Sequence, residues 1–157
     1  MKLLYQQAIL GNKTSDFEGV DIWQYFNDQI NSDLDNSYNN KVLIITDGYF
    51  DFEDIHTGIR TPNQSTITSP LLSKMTSLTW QKVAVDQKIG LIPVKLKVAA
   101  KWIVCGIQPK ENADLLEAQK LSYLWVLWLR QSGAKDIVDP IINSSSFKMK
   151  NLILKSL

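Results

Sequence analysis

A chain of 157 residues is long enough for one domain with a real core and short for two. Hydrophobic residues make up 45% and charged residues 21%, which excludes a disordered polar chain. With 17 basic against 16 acidic side chains the net charge is +1, so no basic surplus points to a nucleic acid.

Met1-Lys2-Leu3-Leu4 opens like a signal peptide, but the apolar run fails at Tyr5-Gln6-Gln7 and no cleavage site follows. Residues 1–10 fit a short helix or a strand equally well. Gly11 to Gly19 is a polar loop. Asp21 is a natural N-cap for a helix whose Ile22, Phe26, Ile30 and Leu34 recur every four residues, with Trp23 widening the stripe. The turn-rich run Asp35 to Asn40 leads into Val42-Leu43-Ile44-Ile45. This β-branched apolar stretch predicts a strand buried on both faces, as in a parallel sheet.

That strand stops at Thr46-Asp47-Gly48. Ligands of open α/β sheets bind beyond the carboxyl ends of strands, so Asp47 stands where a carboxylate can meet a ligand or metal. The plainer reading, equally open, is that Asp47 caps a turn and Gly48 supplies a positive φ. A long polar stretch follows from Asp51 to Ser69, containing Glu53, Asp54 and the single histidine, His56. Loops of that length are functional or mobile. No nucleophile signature accompanies His56, and the counts exclude a zinc site of the usual Cys and His type.

Pro70 to Lys82 predicts a short helix with Leu71, Leu72, Met75 and Leu78, and Pro93 to Lys97 a half-exposed extended segment. Lys101 to Ile107 is the second strand, apolar on both faces. It holds the single cysteine, Cys105, whose apolar neighbours predict a buried structural thiol and whose solitude excludes an intrachain disulfide. Asp114 and Glu117 suggest a capping box for a helix that runs to Gln131, with Gly133 as its C-terminal glycine. Trp125 and Trp128 in it are read as core or as a partner surface. The densest apolar run, Leu121 to Leu129, is too short to span a membrane, so a soluble chain is expected, its compartment open. Ser144 to Leu157 predicts a last amphipathic helix. Two parallel strands alone leave open edges, so further strands are expected near residues 1–10 and 80–98, or from outside the chain.

Three pieces stand in order: Gly19-Val20-Asp21-Ile22-Trp23 opening a helix; Ile44-Ile45-Thr46-Asp47-Gly48; and Trp102-Ile103-Val104-Cys105-Gly106-Ile107 followed by a Trp-containing helix and Gly133-Ala134. Together they resemble the C-terminal half of a von Willebrand factor type A domain, whose best short signature is a hydrophobic strand closing in Thr-Asp-Gly. The resemblance implies an α/β fold, a Rossmann-like three-layer sandwich with a mostly parallel sheet, formed by residues 1–157 as a single domain truncated at its N-terminus. A preceding segment or another chain of an oligomer would complete the sheet. It also implies an adhesion-type module that binds a protein ligand through a divalent cation, Mg²⁺ or else Ca²⁺ or Mn²⁺. Oxygen ligands suit such a hard cation.

In that site Asp47 matches the Thr-Asp-Gly aspartate, and Gly48 and Tyr49 adjoin the ligand. The family's middle-loop threonine falls near Val20, which has no oxygen to offer; Thr14 or Ser15 is the nearest substitute. The Asp-x-Ser-x-Ser loop has no counterpart here. Two other readings stand beside this one. The first is a metal-independent interaction module. The second is a metal-dependent phosphoryl-transfer enzyme using Asp47, Asp51, Glu53 and Asp54. Tyr49 occupies the position where haloacid-dehalogenase-like phosphatases need a second Asp, and the enzyme reading ranks last.

Overall fold

The computed structural model describes residues 22–50, 67, 72–73, 75–76, 78–86, 91–110 and 115–157. The four-residue apolar stripe at the start forms two short helices, α1 (Ile22–Asp28) and α2 (Ile30–Asp33), with Gln29 between them at φ −118. One continuous helix was expected. The stripe holds across the break: Phe26 and Ile30 are buried, and Ile22, Trp23 and Leu34 pack against the same core. The expected cap, Asp21, lies outside the described residues.

β1 (Asn40–Ile45) and β2 (Ala100–Ile107) pair in parallel, with Leu43 opposite Ile103 and Ile45 opposite Cys105. The chain between them contains α3 (Trp80–Asp86). Leu72 and Ser73 are helical, inside the stretch where the sequence suggests a short helix, and Leu72 and Met75 are buried; Leu78 is exposed, and α3 is a separate helix from Trp80. Residues 91–97 form no helix or strand and do not join the sheet. Val94 N–H donates to Ser132 Oγ and Leu96 N–H to Ser132 O, so this segment is tied to the end of the next helix.

α4 (Leu115–Gln131) is the longest element, 17 residues and about 25 Å. It ends in a Schellman motif: Ala134 N–H donates to Leu129 O and Gly133 N–H to Arg130 O, with Gly133 at φ +102. Two very short strands follow, β3 (Asp136–Ile137) and β4 (Ile141–Ile142), both parallel to β2 on its other side. They supply the extra pairing at a place the sequence does not suggest, and none of the described residues 80–98 forms a strand. The register shifts at Gly106, between Cys105 and Ile107, and turns Ile107 to the face that carries Trp102 and Val104. α5 (Ser146–Ser156) closes the chain, its first turn capped by Ser145 Oγ accepting from Lys148 N–H.

The result is α/β: an open sheet, parallel throughout its described pairs, with helices on both faces. Its larger core lies between the Val42, Ile44, Trp102 and Val104 face and α1, α2 and α4. Aromatic rings fill it: Phe26 stands 4.9 Å from Trp128, Phe50 4.5 Å from Trp125, and Phe26 5.7 Å from Trp102. Trp125 and Trp128 are therefore core residues, each with its indole N–H satisfied by a backbone carbonyl. The opposite face buries Ile103, Cys105 and Ile141 under Ile153 of α5. β2 is buried on both faces as expected. β1 is not: Val42 and Ile44 face the core, whereas Leu43 and Ile45 are exposed, because β1 is the end strand among the described residues and the α5 core centres on β2 and β4. Among the described residues no helix is long and apolar enough to cross a membrane.

Candidate functional site

The carboxyl edge of the sheet is built by β1 running on past its last paired residue. Thr46 N–H donates to Cys105 O and Gln108 N–H to Asp47 O, so the two strands stay bonded to the turn itself. There the side chains take over from the ladder. Thr46 Oγ1 accepts from Gly48 N–H at 3.0 Å and Asp47 Oδ1 accepts from Tyr49 N–H at 3.1 Å. These are the local bonds by which Thr and Asp stabilise tight turns. Gly48 sits at φ +101 in contact with α4, and its carbonyl accepts from Trp125 Nε1 at 3.0 Å. The turn is thus pinned from below by the longest helix.

Asp47 is exposed, with one carboxylate oxygen committed to the turn and no partner for the other among the described residues. Gly48 and Tyr49 lie beneath it and are buried. The Tyr49 hydroxyl donates to Glu117 Oε1 at 2.6 Å and accepts from Lys110 N–H at 3.0 Å, and Lys110 Nζ stands 4.9 Å from the centre of its ring. Tyr49 is thereby the strut that ties the turn to α4 and to the loop after β2. Asn143 extends this edge on the other side of β2, its Nδ2 donating to Gln108 Oε1 at 2.6 Å.

The structure therefore brings Asp47, Gly48 and Tyr49 together at one edge and adds Glu117, Lys110, Gln108 and Asn143, none of which the sequence points to as a site residue. The capping box expected of Glu117 involves Asp114, which lies outside the described residues; among the described residues Glu117 accepts from the Tyr49 hydroxyl. Thr14 and Ser15 lie outside the described residues, as do Asp51, Glu53, Asp54, His56 and Asp114. Lys120, one turn beyond Glu117, is buried, with its ammonium donating to Leu72 O at 2.9 Å. A lysine at a core position of an otherwise apolar helix is the one signal that could have drawn attention to it.

Chemically this edge offers an exposed carboxylate on a rigid turn. Among the described residues no three His, Cys, Asp or Glu side chains gather as a cation site. Burial pushes the Cys105 thiol above its ordinary range, which suits its place in the core and not a nucleophile's role. A cleft of about 440 Å³ opens at the opposite, amino edge of the strands, between Lys97, Lys101, Lys135 and Asp136. Comparison with protein families, with curated proteins and with solved structures finds no match to this chain.

Proposed function

We propose that this chain is a protein-binding module of von Willebrand factor type A-like build, a Rossmann-like three-layer sandwich whose contact edge is the Thr46-Asp47-Gly48 turn. The observation that supports the reading is the placement of Asp47. It lies exposed at the carboxyl end of a parallel strand, with one oxygen held by Tyr49 N–H and the other without a partner among the described residues. Carboxyl ends of strands are where open α/β sheets take ligands. The turn is fixed by Trp125 and by the β2 ladder, so presenting that carboxylate needs no ordering of the chain.

A hard divalent cation requires about six oxygen ligands when it is Mg²⁺. Among the described residues Asp47 is the carboxylate this turn offers; Asp51, Glu53 and Asp54 lie outside them. The contact proposed is direct, the carboxylate of Asp47 accepting hydrogen bonds from basic or amide groups of the partner. Cation-bridged adhesion is the second reading, favoured by the unpartnered Asp47 oxygen. Catalysis is not part of the proposal, since Tyr49 fills the place where a phosphoryl-transfer site needs its second carboxylate.

Calorimetric titration of Mg²⁺ and Mn²⁺ into the wild type and Asp47→Ala separates the two forms. No saturable heat in either protein is the expected result for direct contact. Saturable binding that vanishes in Asp47→Ala replaces it with the cation-bridged form. Turnover of an aryl phosphate that is abolished by Asp47→Asn would overturn the binding reading altogether.

A further inference from the structure

Among the described residues the sheet face under α5 is only partly covered. Register places Leu43 and Ile45 of β1 on the same face as Ile103 and Cys105 of β2. The β2 pair is buried under Ile153, whereas Leu43 is 40% exposed and Ile45 is 74% exposed. The end of α5 reaches this place, since Lys41 Nζ donates to Leu157 O. On α5, Phe147, Lys150 and Leu154 and the cap residue Leu157 are spaced three or four residues apart, so they form one flank of the helix. Phe147 is 76% exposed and Leu154 58%. Large apolar side chains standing this far out of a surface mark an interaction site.

Charge narrows the occupant. α5 carries Lys148, Lys150 and Lys155 and no acidic residue, and Lys41 adjoins its end. By the same register Lys101 and its partner Asp136 lie on this face, so with Lys41 and the lysines of α5 five ammonium groups stand against the carboxylates of Asp47 and Asp136. A second copy placed face to face would set this basic excess against itself. Exposed Phe and Leu interleaved with Lys on a short amphipathic helix is the composition that lies in a membrane interface.

We propose that this face docks on an anionic lipid surface, with Leu43, Ile45, Phe147 and Leu154 entering the headgroup boundary and the surrounding lysines meeting lipid phosphates. The apolar side chains alone bind weakly and any bilayer serves them; the lysines make the docking selective for anionic headgroups. The two ligand surfaces are then distinct, because the lipid meets the α5 face and the Asp47 turn lies at its border.

Vesicle flotation tests this. Full-length protein is mixed with phosphatidylcholine vesicles with and without phosphatidylglycerol, at low and at physiological salt. Binding is expected only where phosphatidylglycerol is present, weaker at higher salt, and reduced about five-fold by each of Lys150→Gln and Lys155→Gln. Ile45→Ser and Phe147→Ser are expected to lower it too without lowering the melting temperature, because both side chains stand in solvent. Failure to float with anionic vesicles, or equal flotation with phosphatidylcholine alone, overturns the proposal. A dimer in sedimentation that Ile45→Ser dissociates overturns it in favour of self-association. Binding to soluble polyglutamate as tight as to the vesicles does so in favour of an acidic protein partner.

Discussion

Alanine at Gly48 probes how the Asp47 turn is held. The glycine stands at φ +101, where a side chain costs ~1–2 kcal/mol of backbone strain. An added β-carbon would lie 2.9 Å from Ile107 Cδ1 and 3.4 Å from Leu121 Cβ. Both neighbours are fully buried, so the contact is relieved only by moving core side chains. Overpacking of this kind costs ~1–3 kcal/mol, for a combined loss of ~2–5 kcal/mol. A typical domain has only ~5–15 kcal/mol of stability in all. Gly133→Ala is the internal control. Its φ of +102 carries the same strain, but its β-carbon would meet Leu96 O at 3.6 Å, an ordinary contact, so ~1–2 kcal/mol is expected. Urea unfolding followed by tryptophan fluorescence measures both. Gly48→Ala should lose at least ~1 kcal/mol more than Gly133→Ala. Equal losses would refute the close packing of the turn on α4, and a loss below ~0.5 kcal/mol at Gly48 would refute the left-handed turn itself.

Two further outcomes follow from the same structure. Lys120→Met keeps the length of the buried stem and exchanges one ammonium–carbonyl bond for an apolar end, so it should stay within ~1 kcal/mol of wild type in urea unfolding. Lys120→Ala removes buried methylenes and should cost ~2–3 kcal/mol, and equal damage from both would show that the bond to Leu72 O outweighs the packing. The phenol of Tyr25 is pushed up to about 12, chiefly because its hydroxyl donates to Asp33 Oδ2 at 2.6 Å, with burial and the Asp33 charge adding to it. A raised value means that this bond supports the fold below the ordinary tyrosine range near pH 10 and is lost as pH climbs toward 12. One late phenolate transition that Asp33→Asn shifts downward is the expected absorbance titration.

What the sequence made legible is what local physics decides alone. The Ile22, Phe26, Ile30, Leu34 stripe, the Gly133 stop of α4, and α5 all follow from periodicity and capping, which act within a few residues. β2 was equally plain because its apolar run is flanked by turn residues. β3 and β4 were not, since two residues each, interrupted by Val138-Asp139-Pro140, are too short to show a period and exist only by pairing with β2. The exposed face of β1 was illegible for another reason: an apolar run states what a strand can bury, not whether a partner layer is present. At the site, Thr46-Asp47-Gly48 announced a turn, but Tyr49 and Glu117 meet across 68 residues, and no spacing rule reaches that far. Lys120 ran against composition, which places lysine in water.

The two halves of the turn serve different ends, and that division gives Asp47 its character. Gly48 and Tyr49 look inward: one packs on Leu121 and Ile107, the other binds Glu117 and the Lys110 backbone. Asp47 alone looks outward, with its backbone carbonyl and one carboxylate oxygen already bonded. A side chain kept only for the turn would be replaced at little cost by Asn, which offers the same oxygen to Tyr49 N–H. A side chain that meets a partner through its charge would not. Asp47→Asn therefore leaves the melting temperature unchanged if the turn is all that matters to stability. Any binding lost in that variant then belongs to the carboxylate's charge. The same experiment with Tyr49→Phe inverts the expectation: that variant loses the bonds that brace the turn, so its melting temperature falls before any ligand is added.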